Sequence, residues 1–554
     1  MNTEKRLGFL DVLLLSLFIV VITYYPYYLH GKINIFEIGL YLPGINAVLH
    51  GLVPYRDFFQ LRGPLELYVP AAMMSVLGVN IPVLSVYFYV GTVLTLIIAV
   101  LIAKEIFKTR CVLYLFAAVL VARTFPRVVF TYWGGMRYAL GLLAVFCVVK
   151  FFKREKPIWM FFAGIASICG LLTSVEIGVY SVAGVLAAIS VSYAFRLQDK
   201  NIIWRAGLFY IAGAAVIIVP YVLYLVFTNS FIPFVDTIYA VVIRKETIIN
   251  QHAISNIPSN LFEALAAMTN PSAKNFRHMT PAYLYLLLAG YLIVEMRNKK
   301  LSRESAMLVC IGIYGFVMYN TAFRGIWAQQ FEMALQPEKI LFFFLLERAY
   351  FYLKDKEIRI SRIQVSVAFL TLIVFSSLGY SIARYNHRFF AFQYVRNLIS
   401  GKDTKSLVPL KDVALRPIQI ERARGMVVPV EQAHEMESIV NFIDEKSSRE
   451  DIVFTYPELG TYNFLFDRPF LGRFPIATFS WFNERWHREL ISDLETIKPR
   501  WVIFGKKYDP NWQAVYLGQE ENVKKYNDVV RIIENDYVLV KEMPESGTYI
   551  YKHK

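Results

Sequence analysis

The chain has 554 residues, of which 56% are hydrophobic and only 18% charged, and its formal net charge is +15. A soluble protein of this length would need a far more charged surface, so the excess apolar side chains must face lipid. The positive charge does not mark a nucleic-acid-binding face, because the basic residues collect in short loops between apolar runs, where they set membrane orientation.

The first apolar run, at 8–28, is long enough to span a bilayer and is not followed by a small-residue cleavage site, so it reads as a retained first helix. Further runs lie near 83–104, 111–126, 131–151, 157–173, 176–195, 205–228, 281–296, 304–322, 334–352 and 363–382. The expected architecture is a polytopic α-helical membrane protein with about eleven spanning helices. After Lys5 and Arg6, basic clusters recur at Lys104–Arg110, Lys150–Lys156, Arg196–Arg205, Arg297–Arg303 and Lys354–Arg362. Every second connection is therefore basic, which places the N-terminus and these loops in the cytoplasm. That alternation makes the apolar stretch 65–80 interfacial or re-entrant, since counting it as a span would invert every later loop. Two long connections, 29–82 and 229–280, face outward, as does everything from about 384 onward. The four cysteines, Cys111, Cys147, Cys169 and Cys310, lie in or beside apolar runs and form no disulfide or CxxC pattern.

Residues 1–383 thus read as a membrane domain and 384–554 as an extracytoplasmic α/β domain. In the latter, Glu431–Lys446 and Glu484–Ile497 have helical spacing, whereas Asp451–Tyr456 and Arg500–Gly505 read as strands. Tyr537–Glu542 and Thr548–Tyr551 read as a closing hairpin. Alternating helices and strands favour a small layered domain, and with no Gly-rich phosphate loop, HExxH or GxSxG it reads as a lid or acceptor-recognition module. In the 229–280 loop, Arg244, Lys245, His252, Lys274, Arg277 and His278 form a basic outer surface suited to anionic lipid, or simply to water.

The first outer loop is the most informative segment: Ile35–Tyr68 reads IFEIGLYLPGINAVLHGLVPYRDFFQLRGPLELY. Ile38, Leu42 and Ile45 fall on one helical face, which places this helix at the membrane interface. Glu37, Asp57 and Glu66 bring carboxylates close to the bilayer, a costly position unless they are paired or employed. Each has a structural alternative: a solvated residue or cap for Glu37, an ion pair with Arg56 or Arg62 for Asp57, and a helix start for Glu66.

One spanning helix, an acidic outer loop, the Val53–Phe59 stretch VPYRDFF, Gly63–Leu65 and Tyr68 together resemble bacterial glycosyltransferases of the GT-C superfamily. These are relatives of protein O-mannosyltransferases and lipid A aminoarabinose transferases. In that family the first loop carries an Asp-Glu pair ahead of the PYRDF motif. Glu37 falls on the Glu, but Phe36 stands where the Asp is expected, so the catalytic base passes to Glu37 or Asp57. The stretches 131–138 (TYWGGMRY), 320–330 (NTAFRGIWAQQ) and 456–469, followed by Arg473, are also similar. Arg324 matches a family arginine, whereas Gln329 or Gln330 stands near an expected His.

The resemblance implies inverting transfer of a sugar from a polyprenyl-phosphate carrier to a lipid, polysaccharide or protein acceptor at the outer face of the cytoplasmic membrane. A phosphate leaving group needs no general acid, unlike the alcohol expelled by glycosidases. One carboxylate to take the acceptor proton and cations to hold the phosphate charge suffice. Glu37 and Asp57 are the base candidates; Arg324, Arg137, Arg62 and Arg56 are the candidates for phosphate, which guanidinium binds with paired hydrogen bonds. Glu66, Glu176, Tyr68 and Gln329 are candidates for sugar or acceptor binding. Against these stand headgroup anchoring for Arg56 and Arg62, topology alone for Arg137 and Arg324, and a solvated turn for Glu176. No histidine pair has metal-ligand spacing, and no cofactor is implied; a divalent ion bridging Asp57 and the carrier phosphate has no positive sign in the sequence. Two other classes compete with the enzyme. A transporter or flippase would show internal repeats and charges at the bilayer midplane, and neither is evident. A non-catalytic assembly subunit is consistent with Phe36.

Overall fold

The computed structural model describes residues 8–24, 31–60, 62–124, 135–240, 276–325, 333–354, 400–401, 414–479, 481–506, 520–544 and 546–554. The chain divides into two compact units, Met1–Tyr25 with Phe88–Val219 and Ala253–Lys411, and Pro26–Tyr87 with Pro220–His252 and Asp412–Lys554.

The first unit is helical. It holds α1 (Phe9–Tyr24), most of α5 (Ile81–Ile106), α6 (Arg110–Thr124), α7 (Met136–Arg154), α8 (Ile158–Thr173), α9 (Val175–Ala194), and α10 (Lys200–Phe227) as far as Val219. After these come α12 (Phe276–Arg297), α13 (Arg303–Gly325) and α14 (Gln336–Lys354). Among the described residues, α5, α9 and α10 are long and apolar enough to cross a membrane. The expected span at 363–382 lies outside the described residues. Glycines let α8 and α10 touch backbone to backbone. A Cβ on Gly213 would meet the Phe161 carbonyl at 1.9 Å, and one on Gly164 would meet that of Tyr210 at 2.2 Å. Loop charges are paired across helix ends: Arg110 with Asp11, Lys150 with Glu105, Arg303 with Glu155 and Arg348 with Glu304. The buried Glu347 carboxylate accepts from the Lys108 and Thr109 amides at 2.8–3.0 Å, so α14 caps the start of α6. The four cysteines are free thiols.

The second unit joins the first loop, with residues 220–252, to the C-terminal segment. The loop folds as α2 (Ile35–Gly39), α3 (Leu42–Leu49) and α4 (Leu65–Leu77). The amphipathic stretch is therefore two short helices, and Ile38, Leu42 and Ile45 are wholly buried against protein rather than facing lipid. Their partners are α4 and α16 (Thr461–Leu465). The 13 residues of α4 rise roughly 20 Å at 1.5 Å each, short of a hydrocarbon core of about 30 Å, so this apolar stretch does not span.

The C-terminal elements match the sequence pattern closely. Helices α15 (Val430–Lys446) and α17 (Glu484–Ile497) bury Ala433, Met436, Val440 and Ile443, and Trp486, Leu490 and Leu494, at three- and four-residue intervals. Asn483 starts α17 by accepting from the Trp486 amide at 2.9 Å. The four-stranded sheet has the order β3-β4-β6-β5, with β3 (Val453–Tyr456) parallel to β4 (Trp501–Gly505). The hairpin β5 (Tyr537–Met543) and β6 (Thr548–His553) closes it antiparallel. A two-stranded ribbon of β1 (Leu415–Pro417) and β2 (Val427–Pro429) lies outside that sheet, and α18 (Glu520–Asp536) completes the segment.

Loop and C-terminal segment meet where Gly460 lies under α3. A Cβ there would sit 2.7 Å from the Pro475 carbonyl and 2.8 Å from Pro43 Cγ, so backbone would have to move. Gly460→Ala should cost about 1–3 kcal/mol, read as a lower midpoint of thermal unfolding; an unchanged midpoint would mean this contact is slack.

Candidate functional site

The PYRDF motif is a tight turn. Tyr55 takes a left-handed φ of 69°, its amide donates to the Phe58 carbonyl at 2.8 Å, and the Asp57 amide donates to Val53 at 2.9 Å. The Asp57 carboxylate is occupied on both oxygens. Arg56 Nε donates to Oδ1 and Nη2 to Oδ2, each at 2.7 Å, and the Val53 amide donates to Oδ2 at 2.7 Å. Hydrogen bonds from Arg56 outweigh partial desolvation and, with the Val53 amide, hold the carboxyl below the usual carboxylate range. The lowered folded-state pKa contributes stability that is present at neutral pH and is lost as the pH falls through the depressed value. Asp57→Asn should therefore flatten the acid limb of a melting-temperature profile below about pH 4; an acid limb identical to wild type would show that the pair contributes nothing. Arg56 also donates to the Thr228 carbonyl at 3.2 Å.

A second cluster forms around Arg62. Its Nη1 donates to the Tyr41 hydroxyl and to Glu66 Oε2, the latter at 3.2 Å, and its guanidinium lies 4.9 Å from the Tyr41 ring centroid. The side chains of Arg62 and Glu66 are 20% and 5% exposed, so this is an ion pair largely removed from water. Burial alone would lower the Arg62 pKa, but its acidic neighbours Tyr41, Glu66 and Glu37 push it above the usual value and keep the guanidinium charged. Glu37 is thus within the electrostatic reach of Arg62. Asn34 caps α2 by accepting from the Glu37 amide at 3.2 Å, which leaves the Glu37 side chain half-exposed on the first helical turn.

The Tyr55 hydroxyl ties the two clusters together by donating to the Arg62 carbonyl at 2.6 Å. Beside the turn, the Tyr68 and Tyr224 hydroxyls are 2.5 Å apart, and burial raises the Tyr68 pKa. The C-terminal segment supplies an aromatic wall: Phe59 packs on Phe474, Phe482 and Trp486 at centroid distances of 5.8, 5.6 and 4.6 Å. The Phe59 amide donates to the Arg473 carbonyl at 2.7 Å, and Arg473 pairs with Glu489. Phe36 meets Trp481 edge-on at 6.2 Å. Leu40, Phe59, Gln60, Arg62, Pro475, Ile476, Trp481 and Phe482 line a cleft of about 20 Å³, which is space for a water molecule and not for a sugar ring.

Of the sequence candidates, Glu37, Arg56, Asp57, Arg62, Glu66 and Tyr68 lie together in the second unit. Arg137 and Glu176 belong to the first. Arg137 is buried at the start of α7, its guanidinium 4.9 Å from the Tyr138 ring, just after Gly135 at φ 68°. Glu176 is exposed in the first turn of α9, where a carboxylate complements the helix dipole. Arg324 lies in the last turn of α13. The Arg324 side chain, Gln329, Gln330 and residues 131–134 fall outside the described residues, as do Arg244, Lys245, His252, Lys274 and the side chains of Arg277 and His278. Tyr41, Gln60, Trp481, Phe482 and Tyr224 were not evident in the sequence; only Tyr41, four residues after Glu37, carried a signal, that of helical spacing. Among the described residues, no group of three or more His, Cys, Asp or Glu side chains is placed to hold a metal ion.

Two solved proteins share this architecture along nearly the whole chain. The lipid A aminoarabinose transferase ArnT from Cupriavidus metallidurans matches over 98% of this chain and 97% of its own, with TM-scores of 0.52 for the apo state and 0.51 for the state bound to undecaprenyl phosphate, at 12% identity in each case. The apo oligosaccharyltransferase from Archaeoglobus fulgidus matches over 100% of this chain and 75% of its own, with a TM-score of 0.50 at 11% identity. The fold is that of the GT-C glycosyltransferases. At these identities the GT-C likeness is one of fold, and a membrane location agrees with it and with the long apolar helices. No protein-family model matches the chain, and neither does any curated protein sequence.

Proposed function

We propose that the chain is an inverting glycosyltransferase that moves a sugar from a polyprenyl-phosphate-linked donor to an acceptor at the outer face of the cytoplasmic membrane, with Glu37 as the base. The observation that carries this reading is the largely buried Arg62–Glu66 pair in a loop that also holds Glu37, on a fold shared with two solved glycosyltransferases. One solved relative, the Cupriavidus transferase, holds undecaprenyl phosphate, a donor-type carrier.

In the reaction the acceptor hydroxyl attacks the anomeric carbon from the face opposite the phosphate. The carbon–oxygen bond to phosphate breaks, the phosphate leaves with the electron pair, and the hydroxyl proton passes to Glu37. Glu37 is preferred to Asp57 because both Asp57 oxygens already accept from Arg56 and the Val53 amide, and because Glu37 falls on the Glu of the first-loop pair that the sequence resembles. Arg62 keeps positive charge beside the base and, fixed by Glu66 and Tyr41, offers a preorganised cation for the developing phosphate charge.

A second reading, a non-catalytic assembly subunit, is favoured by Phe36, which packs on Trp481 instead of supplying a carboxylate. One assay separates the two. Purified protein in lipid is supplied with radiolabelled polyprenyl-phosphate sugars and candidate acceptors. Transfer that disappears in Glu37→Gln supports the enzyme; carrier binding without transfer for any donor supports the subunit.

A further inference from the structure

Helix α11 (Phe231–Ile238) follows α10 after a three-residue turn and has two unlike faces. One is built into the protein. Phe234 packs edge-on against Tyr55 at 5.1 Å and Tyr221 at 5.8 Å, Thr237 is buried, and Asp236 at the margin accepts from Arg485 at 2.5 Å. The other face is apolar and uncovered. Phe231, Ile232, Val235 and Tyr239 fall on one side of the helical wheel, all exposed, with Ile232 at 79%. The last turns of α10, which come just before it in the chain, also carry exposed apolar side chains, Val222, Leu223, Val226 and Phe227, the last at 82%.

We propose that α11 is a membrane-surface helix whose Phe231–Ile232–Val235–Tyr239 face lies in the lipid headgroup and acyl boundary of the bilayer that α10 crosses. Three observations select lipid as the occupant. The uncovered face follows, after three residues, the exposed apolar end of a helix that is itself long and apolar enough to span. Eight residues rise only about 12 Å, so α11 lies along the surface instead of crossing. Its polar margin carries the half-exposed Asp236–Arg485 pair, and Tyr239 is an amphipathic ring of the kind that favours the headgroup level. A helix in this setting sinks its apolar face about 5–10 Å into the boundary.

The consequence reaches the candidate site. Phe234 braces Tyr55, and the Thr228 carbonyl in the turn before α11 holds Arg56. Lipid contact by α11 therefore sets the depth of the PYRDF turn beneath the headgroups. This inference does not depend on the glycosyltransferase reading.

The test places a fluorophore at this face in the full chain, reconstituted in phosphatidylethanolamine and phosphatidylglycerol vesicles. Ile232→Cys and, separately, Val235→Cys are labelled with an environment-sensitive dye in a Cys111→Ser background, since Cys111 is the exposed native thiol. Glu495→Cys on the exposed side of α17 is the aqueous control. The expected result is blue-shifted emission, strong quenching by nitroxides placed near the headgroup end of the acyl chain, and an iodide quenching constant several-fold below that of the control. Iodide quenching equal to the control would overturn the proposal. Shielding from both iodide and nitroxide would overturn it too, because the face would then be covered by protein, either residues 241–275 of this chain or a second copy. Strongest quenching by nitroxides at the chain ends would show that α11 is inserted deeply, which also rejects a surface helix.

Discussion

Glu37→Gln should lower the transfer rate by about 10²–10⁴-fold, the range for removing a general base, while leaving the fold intact. In barrier terms that is roughly 3–5 kcal/mol. The change is nearly isosteric, and the feature that starts α2 is the Glu37 backbone amide bonded to Asn34, which the substitution does not touch. Arg62 keeps its bonds to Glu66 and Tyr41, so no buried charge is orphaned. The loss should therefore fall on kcat, with carrier binding and melting temperature close to wild type. Asp57→Asn should cost less activity, because those oxygens already serve Arg56 and the Val53 amide and the Asn oxygen can still accept from Val53. Measured side by side, the two variants assign the base. Should Asp57→Asn abolish transfer while Glu37→Gln leaves it, the roles are exchanged and the ion pair opens when substrate binds.

How much of this was legible beforehand depended on whether the residues carried a local signal. The C-terminal helices at 430–446 and 484–497 and the strands at 453–456 and 501–505 announce themselves by pattern, because their inner faces are predominantly apolar. Helix α18 does not. Its buried side includes Asn522 and Lys525, and the Lys525 ammonium lies inside, donating to the Phe482 carbonyl at 2.9 Å. A buried lysine breaks the apolar stripe that a reader follows, so the helix at 520–536 stayed hidden. The first loop shows the same division. The Arg56–Asp57 pair is adjacent and was foreseen as an alternative, whereas Arg62, expected as a partner of Asp57 or a headgroup anchor, pairs instead with Glu66 four residues on. Burial of Ile38, Leu42 and Ile45 by protein could not, because the covering helix α16 comes from the far end of the chain. The Tyr68–Tyr224 contact likewise joins residues 156 apart, and the Trp481–Phe482 wall has no motif. What sequence reading missed were the long-range closures that turn a motif into a cleft.

Arg62→Met should be the most damaging single change to the second unit, costing about 3–5 kcal/mol, the range for removing one partner of a buried ion pair. Glu66 has a side chain only 5% exposed and would be left as an uncompensated carboxylate, and the Tyr41 hydroxyl would lose the Arg62 donor. Methionine roughly preserves the length of the stem, so the loss reports charge and hydrogen bonding more than a cavity. A double-mutant cycle isolates this: Glu66→Gln added to Arg62→Met should recover much of the lost stability, since the orphaned charge is gone. If the double variant is as unstable as the sum of the singles, the pair is not the source. Transfer activity separates position from charge. Arg62→Lys keeps a cation but loses the planar fork that reaches Tyr41 and Glu66 together, so it should restore part of the stability and little of the turnover. Recovery of stability without turnover in Arg62→Lys would place the guanidinium at the developing phosphate charge; recovery of both together would reduce Arg62 to a strut for Glu66 and leave the phosphate to another cation.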